Sequence, residues 1–170
     1  MHSHILICGE VGVGKSTLIS KLLENTKKNI SGYYTKSLKE RPDGYHEIFM
    51  YAPGDEEHAV YIAECDKKHH SVNLDVFETF GVSLLEKVNK GDIIVMDELG
   101  FMEERAEKFT SRVLELLDGD ITVIGAVKSS HPDSEFLEKV RNHKNADLYY
   151  ITKENRDRLY EELSQDGRIL

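Results

Sequence analysis

One short motif constrains the fold of this chain more than any other feature of its sequence. Residues 9–17 read GEVGVGKST and match the pattern G-x-x-x-x-G-K-[ST] at every required position. A short apolar run, His4–Cys8, precedes the motif and has the length of a buried strand. After it, leucine and isoleucine recur at helical spacing at positions 18, 19, 22 and 23. A strand, a glycine turn and a helix in this order are the context in which the pattern forms a phosphate-binding loop.

The residue types of the motif suit the binding of a polyphosphate. Glycines let the backbone curl so that successive N–H groups form an anion-binding nest, and the new helix adds the positive end of its dipole. Lys15 is expected to reach the β- and γ-phosphates, and the Ser16 hydroxyl to ligate Mg²⁺. The alternative is a chance match, which the flanking strand and helix disfavour. The predicted nucleotide-binding residues of the loop are Gly9, Glu10, Val11, Gly12, Val13, Gly14, Lys15, Ser16 and Thr17.

The charge balance argues against nucleic acid as a partner. Acidic residues outnumber basic ones by 31 to 22, whereas a surface that wraps nucleic acid needs a basic excess. The length of 170 residues favours one domain over residues 1–170. The longest apolar runs are far short of a membrane span, and the first residues do not resemble a secretory signal. We therefore expect a cytoplasmic protein with no membrane partner, and we favour a monomer.

The chain departs from a regular alternation of strands and helices over residues 30–63. Three runs rich in β-forming residues are separated by turns that contain Pro-Asp-Gly and Pro-Gly-Asp. Consecutive strands joined by short turns pair antiparallel, so we predict a β-meander inserted into an α/β chain. Its aromatic residues form a half-buried sheet face or, alternatively, a base-stacking platform. They are Tyr33, Tyr34, Tyr45, Phe49, Tyr51 and Tyr61.

Two groups of side chains are alternative candidates for metal ligands. One is the histidine pair that flanks the first strand, His2 and His4, which we interpret as exposed. The other lies in the stretch 64–73, which we interpret as a solvated loop because its spacing matches no standard zinc module. The members of this second group are Cys65, Asp66, His69 and His70.

The remaining sequence alternates between helical and strand patterns, without internal repeats or a domain linker. A capping box at Asp75–Glu78 starts one of the helices. Helical spacing of apolar residues predicts helices at about 15–26, 75–89, 102–117, 131–141 and 152–163. Apolar runs predict buried strands at 92–97, 121–127 and 147–151.

Two acidic residues stand where the predicted strand at 92–97 ends. Asp97 and Glu98 follow four apolar residues, as in the Walker B element of phosphate-loop enzymes. Asp97 is expected to hold Mg²⁺ opposite Ser16, and Glu98 to orient or deprotonate the attacking water. Alone the pattern is weak, because any strand can end at acidic residues. Together with the upstream loop it indicates a catalytic site.

A GTPase switch is a second interpretation of this region. Residues 97–100 fit D-x-x-G, and residues 89–92 fit the guanine-reading N-K-x-D. In GTPases N-K-x-D follows D-x-x-G on a later strand, whereas here it precedes it. We therefore interpret Asn89–Gly91 as a helix terminus with a glycine stop.

Further strings resemble those of a known family over nearly the whole chain. They are GYYT at 32–35, VNLDVFE at 72–78, DELGFME at 97–103 and NRD at 155–157. With the loop at 9–17, they make the chain similar to the THEP-type, or cancer-related, nucleoside-triphosphatases, a family of P-loop NTPases. Two places differ: the family's Gly-Lys-Tyr before the helix start reads His69-His70-Ser71 here, and a serine usual after Met-Glu-Leu falls near Ala106.

The resemblance implies hydrolysis of nucleoside triphosphates to diphosphates with Mg²⁺ and broad tolerance of the base. It also implies that residues 95–104 contact the nucleotide. The site residues expected from this segment are Asp97, Glu98, Leu99, Gly100, Phe101 and Met102.

We expect a three-layer α/β P-loop NTPase fold with a mainly parallel sheet and an antiparallel meander, and a ligand at the carboxyl ends of the strands. Expected catalytic residues are Lys15, Glu98 and Arg156, with Arg105 and Arg141 as further candidates for neutralising transition-state charge. The expected function is hydrolysis of ATP, GTP or related triphosphates. The alternatives are a nucleotide or nucleoside kinase and a non-catalytic nucleotide sensor, and Glu98 argues against the sensor.

Overall fold

One mixed β-sheet organises the structure. The computed structural model describes residues 3–38, 40–66, 68–100, 102–131 and 133–170. Its strands are β1 (His4–Gly9), β2 (Ile30–Ser37), β3 (His46–Tyr51), β4 (Val60–Cys65), β5 (His70–Val72), β6 (Ile93–Leu99), β7 (Val123–Lys128) and β8 (Ala146–Tyr150). Its α-helices are α1 (Lys15–Leu23), α2 (Leu74–Val76), α3 (Val82–Glu86), α4 (Glu107–Asp118), α5 (Glu135–Arg141) and α6 (Arg156–Leu163), and a π-helical turn (Phe77–Gly81) joins α2 to α3.

The strand order is β5-β4-β3-β2-β6-β7-β1-β8. Pairing is parallel from β2 through β6, β7 and β1 to β8, and antiparallel from β2 through β3 and β4 to β5. The prediction of a mainly parallel sheet with an antiparallel meander is thus confirmed. Because parallel strands end at the same edge of a sheet, the carboxyl ends of β1, β6 and β7 lie together.

Helices cover both faces of the parallel part of the sheet, because side chains of its strands alternate between two hydrophobic clusters. In β1, Leu6 belongs to one cluster, whereas Ile5 and Ile7 belong to the other. The first cluster includes buried residues of α3, α4 and α5, and the second includes those of α1 and α6. This gives the three-layer arrangement expected of the sequence. No helix within the described residues is both long and apolar enough to cross a membrane.

Gly32 allows β2 to lie directly against β6. Its φ angle is +93°, and a Cβ atom at this position would lie 2.1 Å from the carbonyl oxygen of Val95. Any other residue would therefore both strain the backbone and separate the two strands. The following residue, Tyr33, is buried in the core with its ring 5.7 Å from that of Phe109.

Four of the six aromatic residues of the meander form a half-buried sheet face, as the first interpretation predicted, whereas Tyr33 is buried in the core and Tyr45 precedes β3. Tyr34 and Tyr51 stack with ring centroids 5.9 Å apart, and Phe49 meets Tyr61 edge-on at the same separation. All four side chains are half-buried, so they cover the outer strands against water.

The interpretation of His4 as an exposed histidine was wrong, because its side chain is completely buried. Its Nε2 lies 2.8 Å from the carbonyl oxygen of Leu117, and its Nδ1 accepts a hydrogen bond from the N–H of Val123 at 3.2 Å. These contacts favour a neutral ring with the proton on Nε2, and burial lowers the pKa of His4. His2 lies outside the described residues.

The described residues of the stretch 64–73 are exposed or half-buried, as predicted, but they form a pair of strands, so the prediction of a loop was wrong. Cys65 ends β4 and pairs with His70 of β5 in an antiparallel hairpin. Asp66 accepts hydrogen bonds from the N–H groups of Lys68 and His69 in the connecting turn. The residues that looked like metal ligands are therefore positioned by strand pairing and a tight turn, and no metal-binding cluster of His, Cys, Asp and Glu occurs in the described parts of the chain.

The predicted helices exist, but several begin elsewhere. The helix expected at 75–89 is capped by Asn73, whose side chain accepts a hydrogen bond from the N–H of Val76, rather than by Asp75. The helical stripe from Met102 becomes regular helix only at Glu107. The helix expected from 131 begins at Glu135, because the side chain of Ser134 caps it. Pro132 lies outside the described residues.

Candidate functional site

The glycine loop connects β1 to α1, and the side chain of Lys15 folds back onto the backbone of the loop. Gly14 adopts φ +106° at the start of α1, a left-handed conformation that favours glycine. The Lys15 ammonium group donates to the carbonyl oxygens of Gly9 and Glu10, both at 2.8 Å. Burial lowers the pKa of Lys15, and the charge of Glu98 partly opposes that shift. The cation is thus fixed at the carboxyl end of β1.

Ser16 and Asp97 meet at this edge of the sheet. The Ser16 hydroxyl donates to Oδ1 of Asp97 at 2.7 Å, and the N–H of Thr35 lies 3.5 Å from Oδ2. Asp97 is only 2% exposed, and burial raises its pKa although the contacts with Ser16 and Thr35 act in the opposite direction. The two predicted metal ligands are therefore brought together, with the meander strand β2 alongside.

Glu98 stands in a strained position at the end of β6. Its φ angle is +75°, which is rare for a residue with a branched or long side chain. The pairing of β6 with β7 shifts register between Met96 and Leu99, so Asp97 and Glu98 together occupy the irregular step. The Glu98 side chain is 39% exposed, and its Oε1 lies 2.7 Å from Nζ of Lys128. The Glu98 carboxylate contacts Lys128, whereas the Asp97 carboxylate contacts Ser16.

Beyond β6 the chain folds back onto itself through Glu103. This side chain is 3% exposed and accepts a hydrogen bond from the N–H of Gly100 at 2.7 Å. Burial raises the pKa of Glu103 to about 8. Glu103, Glu98 and Lys128 line one small cavity with apolar residues of the meander. The buried carboxyl group thus fixes the turn that follows Glu98.

Arg156 lies beside a cavity between α1 and α6, away from the contacts of Asp97 and Glu98. It lines a cavity of about 470 Å³ between α1 and α6, together with Gly14, Thr17, Lys21 and Tyr160. Its side chain is 54% exposed, and its Nε lies 3.9 Å from the Asp157 carboxylate. Asp97 and Glu98 are not among the residues that line this cavity. Arg156 therefore adjoins the glycine loop from the α6 side.

The other predicted residues have different environments. Val11 is 81% exposed at the tip of the loop, Leu99 is buried, and Met102 is half-buried. Phe101 lies outside the described residues. Arg105 is exposed, whereas Arg141 donates to the carbonyl oxygens of Lys128 and Ser130 and so supports the end of β7.

The structure explains the N-K-x-D string without guanine. Asp92 is 5% exposed and accepts hydrogen bonds from the Ser31 hydroxyl at 2.5 Å and from the N–H of Asn89 at 2.8 Å. It closes the turn that leads into β6, at the opposite end of that strand from Asp97. The string thus forms a turn before β6. The interpretation as a helix terminus with a glycine stop was wrong, because α3 already ends at Glu86.

Lys128 was not recognised as a site residue from sequence, and Glu103 was expected only as a member of the segment 95–104. Lys128 is a single cation after the apolar run at 121–127, which was a weak signal in isolation. Glu103 belongs to the DELGFME string, but nothing in its spacing indicated burial. Both depend on strand order, since β7 lies between β1 and β6.

A glycine loop whose lysine and serine meet an Asp-Glu pair at the carboxyl edge of a mainly parallel sheet defines a P-loop NTPase. The chain belongs to the NTPase family, whose family model matches residues 4–164. This is a family of nucleoside-triphosphatases, enzymes that act on phosphoric anhydrides.

Relatives resemble the chain over almost its whole length. It is 33% identical to nucleoside-triphosphatase THEP1 of Thermotoga sp. (strain RQ2), over 94% of this chain and 92% of that protein. It is 28% identical to the human cancer-related nucleoside-triphosphatase, over 94% and 93%. The crystal structure of THEP1 from Aquifex aeolicus superposes with a TM-score of 0.73 at 27% identity, covering 94% of this chain and 96% of that one.

Proposed function

We propose that this protein hydrolyses ATP, GTP and related nucleoside triphosphates to the diphosphate and phosphate, with Mg²⁺ as cofactor. The observation that supports this most is the convergence of the Ser16–Asp97 pair, Lys15 and Glu98 at one edge of the sheet. These groups supply a cation for the phosphates, oxygen ligands for a metal, and a carboxylate for water.

The loop at 9–17 is proposed to bind the triphosphate. Its backbone N–H groups and the amino end of α1 attract the anion. The Lys15 ammonium adds a charge-assisted hydrogen bond at the end of the phosphate chain. Its burial makes a contact with an anion more favourable than in water, since a buried cation gains from a close negative charge.

Ser16 and Asp97 are proposed to hold Mg²⁺. A hydroxyl and a carboxylate are the hard oxygen ligands that Mg²⁺ prefers, and their oxygens already lie 2.7 Å apart. The N–H of Thr35 beside Oδ2 of Asp97 would help to orient the carboxylate. Mg²⁺ bound there would neutralise charge that develops on the phosphate oxygens.

Glu98 is proposed to position and deprotonate the attacking water. Its carboxylate is partly exposed, so it is accessible to water, and it contacts Lys128, whereas Asp97 contacts Ser16. Backbone strain at a catalytic position is expected where it holds a side chain in a required direction. A pure nucleotide sensor has no need of this second carboxylate.

The cavity between α1 and α6 is proposed to receive the ribose and base. It begins at Gly14 and Thr17, where the phosphate chain would continue towards the nucleoside, and its volume of about 470 Å³ is adequate for a small ligand. Arg156 would contact the nucleotide from the α6 side. In this proposal Arg156 acts in binding more than in transition-state stabilisation.

Phosphoryl transfer to a small acceptor is the second candidate, favoured by a cavity on the opposite side of α1. This cavity of about 680 Å³ is lined by Ser20, Tyr34 and Tyr51 and by residues 54–57 of the β3–β4 turn. Ser20 lies one helical turn beyond Ser16, so an acceptor there would lie on the side of α1 that faces the proposed metal ligands.

The test is a panel of ATP, GTP, CTP and UTP with Mg²⁺. Free phosphate and nucleoside diphosphate are quantified with and without added nucleosides. Hydrolysis is expected to release phosphate without an acceptor, and Lys15→Ala is expected to abolish it. Lys139→Ala, an exposed site on α5, is the matched control. Slow hydrolysis combined with rapid transfer to a nucleoside would replace hydrolysis by the kinase function. Turnover by Lys15→Ala at the wild-type rate would refute the loop assignment.

A further inference from the structure

Lys128 lies at the centre of the carboxyl edge of the sheet. It is the last residue of β7, and it pairs in register with Gly9, the first residue of the glycine loop. β7 separates β1 from β6, so Lys128 lies between the strand that leads to Lys15 and the strand that carries Glu98 near its end. Its place in the sheet therefore puts Lys128 close to the position proposed for the terminal phosphate of the nucleotide.

The side chain of Lys128 is held in this position. It is 12% exposed, and its Nζ lies 2.7 Å from Oε1 of Glu98. Its carbonyl oxygen accepts hydrogen bonds from the Arg141 guanidinium, which also donates to the carbonyl oxygen of Ser130 at 2.7 Å. Arg141 thus fixes the strand end from which Lys128 projects, on the α5 side.

Two cations, Lys15 and Lys128, share this small region with the carboxylates of Glu98 and Asp97. The charges of both Glu98 and Lys128 act on Lys15, with opposite signs, in addition to the effect of its burial. Two neighbouring ammonium groups repel each other, and the negative charges of Glu98 and Asp97 oppose the effect of Lys128 on Lys15. An anion of higher charge beside both lysines would remove this repulsion. The terminal phosphate of a nucleoside triphosphate has that charge.

We infer that Lys128 is a second phosphate-binding cation, which contacts the terminal phosphate of the bound triphosphate and keeps Glu98 beside it. This inference rests on the proposed function, because it assigns the terminal phosphate to the end of the loop at Lys15. A diphosphate lacks this group. Lys128 therefore gives the site a preference for triphosphate over diphosphate, and so favours departure of the product after hydrolysis.

The discriminating measurement is the affinity for a non-hydrolysable ATP analogue and for ADP, each with Mg²⁺, by titration calorimetry. Lys128→Met is expected to weaken binding of the analogue by roughly 10- to 100-fold, as for loss of a charge-assisted hydrogen bond, and to change ADP affinity by less than about threefold. Lys128→Arg, which keeps the charge, is expected to recover part of the loss. Lys139→Met is the control, since its partner Glu135 is on the surface of α5.

The result separates phosphate binding from a purely supporting role. If Lys128→Met weakens both ligands equally, or weakens neither while slowing turnover, Lys128 does not contact the terminal phosphate and the inference is wrong. Thermal unfolding of each variant checks the fold, and Lys128→Gln provides a second neutral variant should the methionine variant not fold. If wild type binds neither nucleotide, the proposed function itself fails. If wild type hydrolyses ATP while the neutral variants show unchanged preference, only this inference fails.

Discussion

The hydroxyl oxygen of Ser16 lies 2.7 Å from a carboxylate oxygen of Asp97, although 81 positions separate the two residues in the chain. The contact joins the start of α1 to the end of β6 and is partly buried. It brings together the two side chains that are proposed to share one Mg²⁺ ion.

Asp97→Asn is expected to raise the Mg²⁺ concentration needed for half-maximal hydrolysis by at least tenfold and to lower the maximal rate, because an amide oxygen is a weaker ligand than a carboxylate. The measurement is phosphate release at saturating ATP as Mg²⁺ is varied. Asp118→Asn, at the exposed end of α4, is the control. An unchanged Mg²⁺ dependence in Asp97→Asn would place the metal elsewhere.

Glu98→Gln is expected to retain nucleotide and Mg²⁺ binding while hydrolysis falls by roughly 10²- to 10⁴-fold, the usual contribution of a general base. The comparison is made at saturating nucleotide so that loss of binding is not mistaken for loss of chemistry. Glu107→Gln, on the exposed first turn of α4, is expected to behave as wild type. Hydrolysis of ATP and GTP by Glu98→Gln at the wild-type rate would show that water is activated by another group.

Arg156→Ala is expected to raise KM several-fold with a smaller effect on kcat, because Arg156 lines the cavity between α1 and α6 and not the edge that contains Glu98. Arg158→Ala removes a neighbouring exposed arginine that does not line the cavity, and it serves as the matched control. A fall in kcat of a hundredfold or more at unchanged KM would instead make Arg156 a group that neutralises transition-state charge.

Glu103 is expected to make stability fall as pH rises. Because the pKa of Glu103 is about 8 in the folded protein and 4.5 in its ordinary state, the folded protein holds a proton that the unfolded chain releases in this range. The free energy of unfolding therefore decreases between about pH 4.5 and pH 8, by up to about 1.4 kcal/mol per pH unit. Glu103 faces the N–H of Gly100 and the charges of Lys128 and Glu98.

Urea unfolding of wild type and Glu103→Gln at about pH 5 and about pH 8 measures this contribution. Gln keeps an oxygen that accepts from Gly100 but does not titrate, so its advantage over wild type is expected to grow with pH. Other titrating groups, such as His4, act equally in both proteins and cancel in the comparison. A constant difference between the two proteins across the pH range would contradict the assignment of a protonated, buried Glu103.

Local patterns in the sequence were sufficient for the parts of the site that depend on one strand and its next turn. The spacing of the loop fixed Lys15 and Ser16 relative to β1, and the apolar run before Asp97 fixed that residue at a strand end. The carboxyl ends of parallel strands share one edge of a sheet. The fold class therefore predicted that Lys15 and Ser16 lie close to Asp97. The positions of these residues in the structure agree with that expectation.

Features that depend on packing between distant segments were not predictable in this way. The burial of His4 results from contacts with Leu117 and Val123, which its neighbours in sequence do not indicate. The position of Lys128 depends on β7 lying between β1 and β6, and the irregular step at Asp97 and Glu98 depends on how β6 pairs with β7. Hydrophobic periodicity specifies which residues form a strand, but not which strands become neighbours.

The position of β2 has a practical consequence for protein engineering. This strand is bonded to β6 on one side and to β3 on the other, so the β3–β4 turn at 52–59 is separated from Asp97 by whole strands of backbone hydrogen bonds. Yet residues 54–57 of that turn reach the rim of the cavity beside Ser20. A peptide loop grafted there would extend the rim beside Ser20 while leaving the strand pairing around Asp97 in register, so this turn is an insertion point for changing the surface of that cavity.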